Sequence, residues 1–188
     1  MSDAAETLCE QARQGDLTAA SELIALFYQR IFAYLRRLSR NDDDAADLTQ
    51  KTFARTWQSL ASYRRRSSFS TWLHGIAYHV YLDWRRKRII GDAQSDEWWE
   101  TQAATSPTPF ENTAERELAV QLYRLVDELD DEKKQTVHLH YYQNLPLSET
   151  AEVLGVAVST VKYRLREALA FLRTRSTEAE LSPERKVI

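Results

Sequence analysis

The stretch VAVSTVKYRLREALAFLR, residues 156–173, decides how the rest of the chain reads. It opens on small and β-branched residues, then turns helical and basic. Val161, Leu165, Leu169 and Leu172 recur at steps of four, four and three, which lays one apolar stripe along a helix. Lys162, Arg164 and Arg166 fall off that stripe, with Thr160 and Tyr163 beside them. The preceding residues, LPLSETAEVLG, make a shorter helix that ends on a glycine. Ser148 stands where that helix takes a cap, and Ala151 and Leu154 turn toward a core. Gly155 occupies the tight turn, where a Cβ is strained. Val156 and Val161 then pack between the helices. This is a helix-turn-helix arrangement, whose second helix enters a DNA major groove N-terminus first. The same helix–glycine–helix spacing also occurs in plain structural hairpins. The excess of one charge sign on the front favours the DNA reader.

Composition sets the frame for that motif. The chain has 188 residues and a formal charge of −3, enough for one domain or two small ones. Hydrophobic residues make up 43%, which excludes a wholly disordered chain. Four glycines and four prolines leave few tight turns, so an all-α fold is expected. Cys9 is the only cysteine, so no disulfide framework forms within the chain. No apolar run approaches the ~20 residues that span a bilayer. The acidic start MSDAAETLCEQARQGD has no apolar signal core. Cytoplasmic residence without membrane insertion is the expectation.

Net charge hides a pattern. Residues 64–88 hold seven Arg or Lys and one Asp, a balance of +6. Residues 89–117 hold seven acids and one Arg, a balance of −6. Residues 158–175 hold five bases and one Glu, a balance of +4. Two basic segments flank an acidic one, the kind of footprint a nucleic-acid binder carries even when the whole chain is slightly acidic.

Periodicity divides the remainder into helices. One covers 5–14 and breaks at Gly15 and Asp16. The next covers 18–39, with Leu23, Phe27, Ile31, Tyr34 and Leu38 on its buried side. Asn41 and the acids at 42–44 make a turn that caps a helix over 45–60. Leu48, Thr52 or Phe53, Trp57 and Leu60 give that helix its buried side. ASYRRRSSFS, 61–70, is a loop, and Ser70 caps a helix from Thr71 to about Arg88. Residues 89–113, with two prolines and many Ser, Thr and acids, form a flexible linker. A second domain starts near Ala114. Leu118, Leu122, Leu125, Val126 and Leu129 line its first helix, and two more cover 132–142 and 148–154. Two small helical domains on an acidic tether are expected: 1–88 and 114–175, with a C-terminal tail at 176–188.

At this point the residues carry a resemblance. DAADLTQKTFARTWQSLASYRRRSSFSTWLHGIAYHVYLDWRRKR, 44–88, resembles region 2 of bacterial sigma-70 family sigma factors, in their extracytoplasmic-function (ECF) group. The C-terminal domain resembles region 4 of the same group. The resemblance covers roughly 20–88 and 115–173, in the expected order and with no region 3 between. It implies a transcription initiation factor that binds bacterial core RNA polymerase and promoter DNA. Region 2 docks on the polymerase clamp helices, and the matching residues are Asp47, Leu48, Gln50, Phe53 and Trp57. Trp57 is either a partner contact or a core aromatic. Region 2 also holds the opened −10 element, which calls for positive charge and aromatic contacts. The matching residues are Arg64, Arg65, Arg66, Phe69, Trp72, His79, Asp83, Arg85, Arg86 and Arg88. Phe69 and Trp72 have core packing as their competing role. Region 4 reads the −35 element, with Val158, Ser159, Thr160, Lys162, Tyr163, Arg164 and Arg166 placed to meet bases and phosphates. An anti-sigma factor commonly restrains members of this group and is expected as a further partner.

The sequence departs from the family at a few positions. Ala157 stands where a capping Ser is common, so Ser159 or Thr160 becomes a candidate cap for a later helix start. Val158 and Tyr163 replace smaller or more polar residues, and His79 replaces a common Asn. Asp130 and Asp131 lie where a proline-bearing link is common. No other chemistry competes. His74, His79, His138 and His140 form no ligand cluster with the lone cysteine, and His138 and His140 read as surface or half-buried. No phosphate loop or catalytic constellation is visible, so neither an enzyme nor a cofactor or metal is expected. Trp98 and Trp99, set among acids in the linker, either dock in a polymerase crevice or rest on one domain. The competing function is a helix-turn-helix regulator that does not replace sigma, and the helix bearing Asp47 and Trp57 argues against it.

Overall fold

The computed structural model describes the backbone of residues 2–92 and 113–181, and the side chains of residues 4–88 and 120–176. The expected linker, with Trp98 and Trp99, lies mostly outside the described residues. Eight α-helices occur among the described residues: α1 Ser2–Arg13, α2 Leu17–Ser39, α3 Asp42–Ser59, α4 Phe69–Asp92, α5 Thr113–Asp127, α6 Asp131–Val137, α7 Leu147–Leu154 and α8 Val158–Leu181. A 3₁₀ turn, Leu60–Ser62, follows α3, and a π-helical turn, His138–Tyr142, follows α6. The fold is all-α. The helices form two compact units, α1 to α4 in the first and most of α5 to α8 in the second.

Local chemistry sets each boundary in the first unit. Gly15, at φ +95°, turns the chain out of α1 where other residues are strained. The Asp16 carboxylate then accepts the N–H groups of Thr18 at 2.8 Å and Ala19 at 3.1 Å, capping α2. The stripe of α2 is buried as read: Leu23, Phe27, Ile31, Tyr34 and Leu38 all face inward. It packs against α1, α3 and α4. Ile31 and Leu35 lose all contact with water, each worth about 1.5–3 kcal/mol. Arg40 ends α2 in the left-handed region, φ +58°, and Asn41 caps α3 by accepting the Asp44 N–H at 2.9 Å. The acids 42–44, expected as a turn, instead form the first turn of α3, where negative charge suits the helix dipole.

The inner face of α3 differs from its expected stripe. Ala45, Leu48, Thr49, Thr52 and Thr56 are buried, whereas Phe53 is half-buried and Trp57 is exposed. The threonines tolerate burial because each hydroxyl donates to a carbonyl four residues back, at 2.7–2.8 Å. Helix α4 starts two residues before its expected start. Its cap is Ser68, not Ser70: the Thr71 N–H donates to Ser68 Oγ at 3.2 Å. Phe69, Leu73, His74, Ala77, Val80 and Tyr81 fill the core from α4.

In the second unit, Val126, Leu129, Val137, Ala151, Val161, Leu165, Ala168 and Leu172 form one apolar cluster. Val156 and Leu125 pack at its edge. Leu122 and Leu169, expected inside, are exposed, and Ala168 takes the place of Leu169 against the core. Asp130 caps α6 by accepting the Lys133 N–H at 3.0 Å. His138 is fully buried beside the Tyr142 ring, centroids 5.0 Å apart, because the π-turn rotates it inward; the surface reading fails there. His140 is half-buried, its Nδ1 donating to the Leu145 carbonyl at 2.8 Å. Helix α7 starts at Leu147, so Ser148 sits inside the first turn and is no cap. Gly155 makes the turn at φ +66°. Helix α8 continues past the expected boundary at 175.

Candidate nucleic-acid interface

The front of α8 is the face of the second unit that the sequence assigns to DNA. Ala157 precedes the helix and offers only its carbonyl, which accepts the N–H groups of Thr160 at 3.0 Å and Val161 at 3.2 Å. The helix therefore starts at Val158, and no later start capped by Ser159 or Thr160 occurs. Val161, Leu165, Ala168 and Leu172 anchor the back. Val158, Ser159, Lys162, Tyr163 and Arg166 face water, and Thr160 is half-buried. The Arg166 guanidinium lies 5.4 Å from the Tyr163 ring centroid, which orders both side chains. Arg164 departs from expectation. It turns back to Glu132 of α6, Nη2 to Oε2 at 2.7 Å, and only 14% of its side chain is exposed. Its geometry is that of a brace between helices.

In the first unit the loop 63–68 is held at both ends by aromatic rings. Phe69 meets Phe27 at 5.4 Å, Tyr63 at 5.7 Å and Trp72 at 5.8 Å, and Tyr63 meets Trp72 at 5.0 Å. Phe69 is buried, so it supports the loop and cannot stack on a base without unpacking. Trp72 is half-buried and keeps an exposed edge. Of the triple arginine, Arg64 and Arg66 are exposed and hold no ion pair among the described residues. Arg65 sits in the left-handed region at φ +53° and is tied to α1 through Glu6.

Helix α4 carries the rest of that surface. His79 is exposed, its Nδ1 donating to the Gly75 carbonyl at 2.7 Å. Asp83 is held by Arg55 of α3, Nη1 to Oδ2 at 2.9 Å, so it is a tie between two helices. Arg88 reaches Asp44 at 3.3 Å and lies 5.3 Å from the Trp84 ring. Arg86 and Lys87 are exposed, and Arg85 is half-buried. The loop arginines and the end of α4 thus keep several cations turned to water.

The outward face of α3 is the third surface. Asp47, Gln50 and Trp57 lie on it, with Trp57 45% exposed. Asp47 also pairs with Lys51 one turn on. Phe53 stacks on Tyr28 of α2 at 6.1 Å, and Tyr28 on Phe32 at 6.3 Å. Leu48, grouped with the partner contacts on sequence, is fully buried and positions the helix from within.

Two family models match the chain in order. Sigma-70 region 2 matches residues 23–89, and Sigma-70 region 4 matches residues 119–172. The RNA polymerase sigma factor YlaC of Bacillus subtilis is 30% identical over 84% of this chain and 92% of its own length. The chain belongs to the sigma-70 family. Its relatives place it in the ECF group: the ECF sigma factor SigE of Mycolicibacterium smegmatis is 32% identical over 85% of this chain and 62% of its own length. SigW of Bacillus subtilis, another ECF member, is 26% identical over 85% of this chain and 91% of its own. The sigma factor's fold matches that of RpoE from Bartonella quintana, solved with the anti-sigma factor NepR, at TM-score 0.72 and 21% identity over 82% of this chain and 94% of that one. It also matches CnrH, solved with the cytosolic domain of CnrY, at TM-score 0.68 and 23% identity over 93% and 98%. As a sigma factor, the protein directs core RNA polymerase to promoters and starts transcription there.

Three functional or structural side chains of this sigma factor escaped the sequence reading. Glu6, Arg55 and Glu132 each bind an arginine or aspartate expected to face DNA. Arg55 and Glu6 have partners on distant parts of the chain, so no local spacing marks them. Glu132 lies 32 positions from Arg164, and only the packing of α6 on α8 joins them.

Proposed function

We propose that this sigma factor divides its work among three surfaces. Residues 1–88 bind the polymerase clamp through the outward face of α3 and hold the opened −10 strand with Arg64, Arg66, the Trp72 edge, His79 and the basic end of α4. Residues 114–175 read duplex −35 DNA with Val158, Ser159, Lys162, Tyr163 and Arg166. The factor acts in the cytoplasm by binding alone and performs no chemistry itself. An anti-sigma protein that covers these faces restrains it, as NepR accompanies the Bartonella sigma factor of similar fold.

One observation carries the reading. Trp57 stands exposed on the same face as Gln50, two turns back, and Asp47, three turns back, on a helix whose inner face is already filled by Leu48 and threonines. The core does not need that indole, and a helix-turn-helix regulator working alone has no use for it. Aromatic anchors flanked by polar groups are the common hot spots of protein interfaces. Truncating such an anchor costs ~2 kcal/mol or more, about thirtyfold in affinity. Trp57→Ala is therefore expected to weaken binding to core polymerase about thirtyfold while leaving thermal unfolding and duplex −35 binding unchanged. Titration of labelled core checks this, and equal affinity of the two proteins rejects the surface.

A further inference from the structure

Helix α1 lies outside both family-model matches, yet it reaches the loop that carries the triple arginine. Glu6 makes the connection. Its Oε1 accepts the Tyr63 hydroxyl at 2.9 Å and the Phe69 N–H at 3.0 Å. Its Oε2 lies 3.1 Å from the Tyr63 hydroxyl and 3.5 Å from Arg65 Nε. The Glu6 carbonyl accepts Arg65 Nη2 at 3.2 Å, and Glu10, one turn on, faces the same guanidinium at 3.8 Å. One residue of α1 thus holds the entry, the middle and the exit of the loop.

The loop needs such a hold. Arg65 sits at φ +53°, a conformation that side-chain-bearing residues leave unless their surroundings fix it. The Phe69 N–H is one of the donors that the first turn of α4 leaves free, and Glu6 satisfies it. The Tyr63 hydroxyl also lies 2.9 Å from the Ser67 carbonyl and shares its one proton between that oxygen and Glu6, so the ring that Glu6 grips closes the loop on itself. With Arg65 turned toward the Glu6 and Glu10 carboxylates, though half exposed, Arg64 and Arg66 on either side of it face water without an ion pair among the described residues. A loop ordered before the strand arrives spares the entropy of ordering it on binding.

We propose that Glu6 is a positioning residue for −10 recognition, latching the loop 63–68 so that Arg64 and Arg66 are held outward for the displaced strand. This rests on reading that loop as the −10 surface, and the two are tested together. The full-length protein is assembled with core polymerase as wild type, Glu6→Ala, Glu6→Gln and the double variant Arg64→Ala/Arg66→Ala. The probe is a single-stranded oligonucleotide carrying the −10 sequence that wild-type holoenzyme selects from a randomised single-stranded pool, compared with a scrambled one. Glu6→Ala is expected to lose about fivefold to tenfold of the preference for the selected strand, with core affinity and duplex −35 affinity unchanged. Glu6→Gln, whose amide oxygen still receives Tyr63 and Phe69, falls between. Full preference in Glu6→Ala, with affinity lost in the double arginine variant, overturns the latch and keeps the loop as the reader. No effect in the double arginine variant overturns the loop reading, and the latch with it. Should Glu6→Ala not fold, Glu6→Gln decides by the same comparison, since it removes the charge facing Arg65 and keeps an oxygen for Tyr63 and Phe69: an intermediate loss of preference supports the latch, and full preference overturns it.

Discussion

At Ala157 the reading helix begins without a side-chain oxygen, although its carbonyl already accepts from Thr160 and Val161. A serine there supplies the missing acceptor, so Ala157→Ser is expected to stabilise the second unit by about 0.5–2 kcal/mol. Thermal unfolding reads this as a raised midpoint, and an unchanged or lower one goes against it. Lys162 is exposed on the same helix front and has no partner there among the described residues. Lys162→Ala is expected to weaken −35 duplex binding and to lower the slope of log affinity against log salt by about one. Identical slopes for both proteins remove the phosphate contact. At this scale the sequence was partly legible. The apolar stripe of α2 is visible because burial follows the helical period, and every residue of it is inside. Trp57, read both as part of the buried side of α3 and as a partner contact, is exposed, because buried threonines took the inner face by donating their hydroxyls to the backbone. Arg164 and Asp83 misled because their partners come from other helices, and charge type alone does not say whether a charge faces water or a neighbour.

Helix ends show the same division. Gly15, Asn41 and Gly155 act as their residue types suggest, and Asp16, read only as a break after the first helix, also caps α2. Ser70 and Ser148 do not cap, because a neighbouring serine in one case and a proline carbonyl in the other starts the helix earlier. Asp130, where the family commonly carries a proline-bearing link, caps α6 and pairs with Lys133 at 2.6 Å. The hydrogen bond from the Lys133 ammonium holds the Asp130 carboxyl below its ordinary value of 3.8, against the opposing effect of burial and with help from the Lys133 N–H. A carboxyl depressed in the folded state stabilises fully above its unfolded value and loses that contribution as pH falls through the folded one. Asp130→Ala is therefore expected to cost about 1 kcal/mol near neutral pH, and the gap to wild type is expected to narrow as pH falls through the depressed Asp130 value, down to what an uncharged cap contributes. Urea unfolding across that range measures it. A gap of unchanged size at low pH assigns the loss to something other than the charge on the cap. Asp130→Asn keeps an acceptor and is expected to lose less than Asp130→Ala.

Across the whole molecule, the all-helical class and the two-domain plan were visible before any coordinates, because scarce glycine and proline, two basic segments and an acidic interval leave little else. The division of labour is what the fold adds. The first unit packs its inner surface on α2 and leaves one face of α3 and one loop turned to water. The second spends the back of α8 on its core and turns Lys162, Tyr163 and Arg166 outward. Braces such as Arg55–Asp83 and Glu132–Arg164 hold helices together beside those faces. They make charges that looked free on paper part of the scaffold. The proposal is that a chain built this way reads two separate stretches of promoter in one complex with polymerase. That is tested most directly by mixing purified protein with sigma-free bacterial core polymerase and a library of randomised promoters, then sequencing the transcript starts. The expected result is a set of starts that share two upstream elements at a fixed spacing. Starts sharing a single element, or none although the protein binds core, contradict it.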